Sequence, residues 1–278
     1  MDPMRKSVML LAAGLPLAAQ LPPPNDAGVA MGHLHLLVRD PDAQRKFWVE
    51  VMGGTPLKLA NLEVMKFPDV LVMFRKGEPT GGTKGSVVNH LGFLVRDMKA
   101  EVARMKAAGA NFVTQTEVGG GRATGDYWLN PPQKALQAFV MGPEEVKIEL
   151  TEDPGLKHRI AHHHIHFNHP ALNEMKAWYV KSFEAKPGRR GQFEAADVPG
   201  VNLTFSGADG APAGTKGRSL DHIGFEVRNL EAFCKKLTEA GAKFDIPYRQ
   251  VPALGISIAF FTDPWGTYIE LTEGLARL

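Results

Sequence analysis

Cysteine is almost absent: Cys234 is the single one in 278 residues. No disulfide framework exists, so an exported life would rest on core packing or bound metal. Cys234 stands in the series Leu230, Phe233, Cys234, Leu237. That i, i+3, i+4, i+7 spacing marks the buried face of a helix, where a thiol behaves as a small hydrophobe. A dominant charge is missing too. Thirty-two Lys and Arg face thirty Asp and Glu, for a net charge of +2. The basic residues form no stripe of the kind that neutralises phosphates, which argues against nucleic-acid binding. A membrane span is also not expected. The N-terminal apolar run, Val8 to Ala19, has twelve residues and is broken by Gly14 and Pro16, too few to cross a bilayer.

That run has another reading. Arg5 and Lys6 precede it and the small residues Leu17-Ala18-Ala19 close it, the order of a secretory signal. We expect a signal over 1–19, a proline-rich leader over 20–31, a mature chain starting near Gln20, and a periplasmic or secreted location. With 44% hydrophobic and 22% charged residues the chain is an ordinary globular one, long enough for about two domains.

What is abundant is internal repetition. An offset of 131 lays Gly32-His33-Leu34-His35 on His163-His164-Ile165-His166, and Phe47-Trp48-Val49 on Trp178-Tyr179-Val180. An offset of 132 lays Gly82-Thr83-Lys84-Gly85 on an identical Gly214-Thr215-Lys216-Gly217, and His90-Leu91-Gly92-Phe93 on His222-Ile223-Gly224-Phe225. An offset of 121 lays Ile148-Glu149-Leu150-Thr151-Glu152 on Ile269-Glu270-Leu271-Thr272-Glu273. Each half further divides into two units in which a strand precedes a helix and three strands follow. Asp40-Pro41 and Asp97 are helix-opening signals, and Gly109 closes the second helix. Asp263-Pro264-Trp265-Gly266 is a turn between the strands expected at Ile256–Thr262 and Thr267–Leu271.

The expected fold is therefore α+β: four βαβββ units, near 32–76, 87–152, 162–207 and 219–273, in two domains, 32–153 and 162–278. Each domain would have a curved eight-stranded sheet, helices outside and a concave face within. Stretches 77–86 and 207–218 are connectors.

One histidine holds the same place on the first strand of every unit: His33, His90, His164 and His222. The last strand of the second unit in each half carries Glu149 or Glu270 between apolar neighbours, so alternation turns each carboxylate away from the core face. A carboxylate placed there needs a partner or a ligand. Two imidazoles and one carboxylate with open positions suit a divalent transition metal.

Asp221-His222-Ile223-Gly224-Phe225-Glu226-Val227, followed by Asp263-Pro264-Trp265-Gly266-Thr267-Tyr268-Ile269-Glu270-Leu271, resembles the vicinal oxygen chelate superfamily of glyoxalases, bleomycin resistance proteins and extradiol dioxygenases. The resemblance extends over about 32–273. It implies His33, His90 and Glu149 as metal ligands in the first half, and His164, His222 and Glu270 in the second. The pairing of units stays open, because His33 could instead join His222 and Glu270 across the halves. One or two ions of Zn(II), Mn(II) or Fe(II) per chain are implied.

Departures narrow the chemistry. The fourth ligand of glyoxalase I, a Glu on the last strand of the first unit, falls by sequence register on Leu71 or Asn202. Phe260 replaces the Tyr of the dioxygenase signature, and no His lies between His222 and Glu270. His35 and His166 lie two residues beyond a ligand and share its face, which makes each a candidate acid or base. Lys84 and Lys216, with Asn202 and Phe260, are candidates for substrate contact. The extra loop with Arg122, Asp126, Tyr127 and Trp128 could act as a lid. The expected protein is a metal-dependent isomerase, lyase or dioxygenase acting on a small oxygen-chelating molecule, with Lewis-acid chemistry favoured over oxygen insertion. The alternative is a binding protein that sequesters a ligand without turnover. A monomer or homodimer is expected.

Overall fold

The computed structural model describes residues 21–59 and 62–277, so the expected signal segment lies outside the described residues. The first unit comprises β1 (Val29–Val38), α1 (Pro41–Lys46) running on as a π turn over Phe47–Val51, β2 (Thr55–Leu59), β3 (Leu62–Phe67) and β4 (Val70–Lys76). The second comprises β5 (Val88–Val95), α2 (Met98–Ala107), β6 (Asn111–Phe112), α3 (Thr114–Val118), β7 (Trp128–Asn130), β8 (Ala135–Met141) and β9 (Lys147–Glu152). The third is β10 (Ile160–Asn168), α4 (Leu172–Phe183), β11 (Lys186–Arg190), β12 (Phe193–Val198) and β13 (Val201–Ser206). The fourth is β14 (Leu220–Val227), α5 (Leu230–Glu239), β15 (Phe244–Val251), β16 (Ile256–Thr262) and β17 (Tyr268–Glu273).

Local chemistry explains the boundaries. Asp40 accepts from the amides of Asp42 and Ala43 at the head of α1, and Asp97 accepts from Ala100 at the head of α2. Both satisfy helix donors that have no partner within the helix. Gly109 ends the turn after α2 at φ 87°, a conformation that favours glycine.

The strands form two sheets, with mixed α+β character as expected. One has eight strands in the order β15-β16-β17-β14-β1-β4-β3-β2. The other has nine, β11-β12-β13-β10-β5-β9-β8-β6 with β7 on β8. The first therefore joins units one and four, and the second joins units two and three. This corrects the expectation that each half, 32–153 or 162–278, closes its own sheet. The seams are the antiparallel pairs β1–β14 and β5–β10.

The reason lies in linker length. Only residues 153–159 separate β9 from β10. The Asp153 amide donates to Val95 O at 2.9 Å, and the Arg96 amide to Arg159 O at 3.1 Å. So short a link passes the end of β5 and delivers β10 beside it, which leaves β1 as the place for unit four. The two Gly-Thr-Lys-Gly segments do more than connect. They run side by side, with Thr80 N to Gly217 O at 2.9 Å and Ser219 N to Gly81 O at 2.9 Å. Thr83 Oγ1 accepts from the Lys147 amide and Thr215 Oγ1 from the Tyr268 amide, so each fixes the entry of a strand that carries a site glutamate.

One apolar core spans both sheets. Trp48 packs on Phe67 of one sheet and Phe93 of the other. On α4, Phe183 packs on Phe225 of the first sheet and Tyr179 on Phe205 of the second. Ile148, Leu150, Ile269 and Leu271 point into this core, which turns Glu149 and Glu270 to the opposite, concave face.

Candidate metal centres

Among the described residues, two groups of His and Glu have ligating atoms within 4.8 Å of one another. Each is built across a seam, so each takes residues from both halves of the sequence. Of the two pairings that the sequence leaves open, the arrangement is the one across the halves. His33 meets His222 and Glu270, while His90 and Glu149 meet His164.

In the first centre, β1 supplies His33 and His35, β14 supplies His222 and β17 supplies Glu270. The Nε2 atoms of His33 and His222 lie 2.8 and 3.0 Å from the same oxygen, Glu270 Oε2. His222 donates from Nδ1 to Asp221 at 2.7 Å, which orients the ring with Nε2 turned to Glu270. Burial opposes charge on His222, yet the bonds to Asp221 and Glu270 outweigh it and raise its pKa. Burial also works against the Glu270 carboxylate, but His33 and His222 hold its pKa far below the usual range. Burial, then the neighbouring His222 and His33, lowers His35 well below its ordinary value, so it is neutral. His33, His35 and Glu270 face a cavity of about 180 Å³ walled by Leu59, Met73, Ile256, Ile258 and Leu275, with Arg249 also on its wall.

In the second centre, β5 supplies His90, β9 Glu149 and β10 His164 and His166. His90 Nε2 is 3.1 Å from Glu149 Oε2, and His164 Nε2 is 3.4 Å from His90 Nε2. Glu149 Oε1, however, is already engaged. It accepts from Arg190 Nη2, from Gln137 Nε2 at 3.0 Å and from Thr151 Oγ1 at 2.9 Å. Burial opposes the Glu149 charge, and Arg190 followed by the imidazoles overcomes this and depresses its pKa strongly. His90 is lowered by burial, and His164 and His166 are lowered well below normal for the same first reason. This centre opens on a larger cavity, about 400 Å³, whose wall includes His166, Gln137, Phe139, Phe193, Trp128 and Arg122.

The donor chemistry of the first centre fits a divalent metal. It has three imidazoles and one carboxylate and, among the described residues, no protein cation on that carboxylate. The second centre has the same ligand types with a guanidinium bonded to its carboxylate.

Two family models match the chain, over residues 32–128 and 163–271, and both describe the Glyoxalase/Bleomycin resistance protein/Dioxygenase superfamily. The chain belongs to that superfamily, as two tandem copies. Glyoxalase I from Zea mays has the same fold: it is 15% identical, covers 90% of this chain and 94% of its own, and superposes with a TM-score of 0.68. Its E144Q mutant gives 14% identity, 90% and 95% coverage and a TM-score of 0.69. No curated protein sequence matches the chain.

Against the glyoxalase I pattern, the sheet register revises where a fourth ligand would fall. Glu270 is the parallel partner of Gly224, and Glu149 of Gly92. The residues in the corresponding place opposite His35 and His166 are Met73 and Thr204, not Leu71 and Asn202, which lie opposite His33 and His164. Asn202 donates to Asp197 and accepts from Thr204, both within its own sheet. Met73 carries no strong ligand atom, and His35 stands in the same group as His33, His222 and Glu270.

The remaining candidates fall as follows. Phe260 packs edge-on against His222, ring centroids 5.3 Å apart. Lys84 pairs with Glu117, and Lys216 pairs with Asp245 and lies over the Tyr268 ring at 4.3 Å. Neither lysine is on the wall of either cavity. Arg122 and Trp128 of the extra loop do line the second cavity, and Asp126 is tied back to Lys106. Sequence reading missed Asp221, Arg190 and Gln137 as site residues. The acidic residue beside His222 was a readable signal, whereas Arg190 approaches Glu149 only because β11 joins the sheet of unit two.

Proposed function

We propose that the protein is a divalent-metal-dependent enzyme that acts on a small oxygen-chelating molecule at the first centre. The observation that carries this is the convergence of His33 Nε2 and His222 Nε2 on one oxygen of Glu270, with His35 beside them, on the wall of a cavity. Two imidazoles and a carboxylate that meet at one point, with a third imidazole beside them, make a donor set suited to a divalent cation.

His33, His222 and Glu270 would hold the metal, with His35 as the fourth donor in place of the carboxylate lost at Met73. A metal there acts as a Lewis acid on a carbonyl or hydroxyl oxygen. Asp221 holds His222 in the tautomer that presents Nε2 inward. The aliphatic wall excludes water and favours a substrate with an apolar body, while Arg249 can receive an acidic end. Lewis-acid chemistry on a carbonyl compound is preferred over oxygen insertion because Phe260, beside His222, cannot relay a proton.

The test uses protein loaded with Zn(II) or Mn(II) and a panel of α-hydroxy carbonyl compounds, read as proton exchange at the carbon beside the carbonyl. Exchange that disappears in Glu270→Gln supports the reading. Tight ligand binding without exchange would replace it with sequestration, and oxygen uptake by Fe(II)-loaded protein would replace Lewis-acid chemistry with oxygenation. We also propose that the enzyme works outside the cytoplasm, on the order of charge, apolar run and small residues in 5–19. Intact-mass analysis of the protein made in a Gram-negative host should show cleavage near Gln20, and an uncut cytoplasmic chain would refute it.

A further inference from the structure

A buried side chain that the duplication does not share sets the two centres apart. Arg190 is the last residue of β11, is 8% exposed and places Nη2 against Glu149 Oε1 and 3.3 Å from Thr151 Oγ1. With Gln137 and Thr151 also donating to Oε1, and His90 on Oε2, the Glu149 carboxylate is saturated by protein donors. Glu270 receives the two imidazoles and, among the described residues, nothing else.

The support behind the imidazoles differs in the same direction. The residue before His222 is Asp221, whose carboxylate accepts from Nδ1, while the residue before His90 is Asn89, whose Oδ1 lies 2.9 Å from Nδ1. A carboxylate raises the basicity of a ligating imidazole more than a neutral amide does.

We infer that the second centre takes no metal, because the Arg190 guanidinium already occupies the position of a cation beside Glu149. A guanidinium is a planar fork of donors that fits a carboxylate and brings its own positive charge to it. A divalent ion at His90, Glu149 and His164 would stand next to that fixed positive charge with the carboxylate already neutralised. The chain therefore holds one metal, at the first centre, and the second is a guanidinium-centred site that keeps the family's ligand residues. The location of that one metal rests on the reading of the first centre given above, whereas the exclusion from the second does not.

Metal content of the dialysed full chain, by elemental analysis after exposure to Zn(II), tests this. The wild type should hold one equivalent, retained in Glu149→Gln and lost in Glu270→Gln. Arg190→Gln, which removes the charge and keeps a donor, should gain a second equivalent. Two equivalents in the wild type, one of them lost in Glu149→Gln, would overturn the inference. So would a single equivalent lost in Glu149→Gln and kept in Glu270→Gln. Should Arg190→Gln fail to fold, the three other proteins give the same decision. A wild type without metal would fail the reading of the first centre alone, and the gain in Arg190→Gln would still report on the second.

Discussion

The ring of His33 occupies the space in which a β-carbon on Gly224, its cross-strand partner, would lie. The relation of His164 to Gly92 is the same. These glycines are needed for room, since neither has a positive φ. Gly224→Ala should push His33 off its line to Glu270 while leaving the backbone able to form the strand. We expect metal affinity at the first centre to fall by about 10–100-fold, the range for disturbing the support of a ligand. Zn(II) titration with a competing chelator measures it, and unchanged affinity would remove His33 from the ligand set.

His35 is placed both to ligate and to accept a proton, and one variant separates the roles. His35→Gln should lower metal affinity if its nitrogen is the fourth donor, as proposed. Unchanged metal content together with lost proton exchange would instead make His35 the base, a role its neutral state at pH 7 permits.

Glu117 is shared by a buried lysine and an exposed one, Lys147 at 2.7 Å and Lys84 at 3.2 Å. Burial opposes the Glu117 charge, and the two lysines, Lys147 first, nevertheless lower its pKa. Lys147→Ala leaves a largely buried carboxylate short of its partner and should cost about 3 kcal/mol. Lys84→Ala breaks a solvated pair and should cost under about 1 kcal/mol. Because the folded pKa of Glu117 is depressed, its stabilisation is present above the unfolded value near 4.3 and is lost as pH falls through the lower folded value. The gap between wild type and Lys147→Ala in urea melts should therefore narrow on acidification.

Cys234 is buried on α5, and burial, with Glu231 nearby, pushes its thiol up to about 11. At pH 8 its thiolate population should be roughly 200-fold below that of an unperturbed thiol of pKa near 8.5. Alkylation of the native protein should be slower by at least that factor and should become fast in denaturant. The same shift lowers stability as pH rises from about 8.5 towards 11, because the unfolded chain loses its proton first. Rapid native labelling at pH 8 would show that α5 opens readily.

The amino-acid sequence by itself determined the repeat, the unit boundaries to within a few residues and the side chains that face the concave surface. These follow from local causes: alternation along a strand, Asp at helix starts and identical spacing in two copies. His33, His90, His164, His222, Glu149 and Glu270 were all legible in this way, as were the companions His35 and His166. The partnership of the units was not legible, since both pairings bury the same apolar faces. The short link 153–159 and the seams β1–β14 and β5–β10 decided it. Only that pairing brings His33 to Glu270 and carries Arg190 from β11 to Glu149. A charge that arrives from the far edge of the sheet, on a residue 41 positions along the chain, leaves no trace in the pattern of either segment, and it sets apart two centres of similar composition.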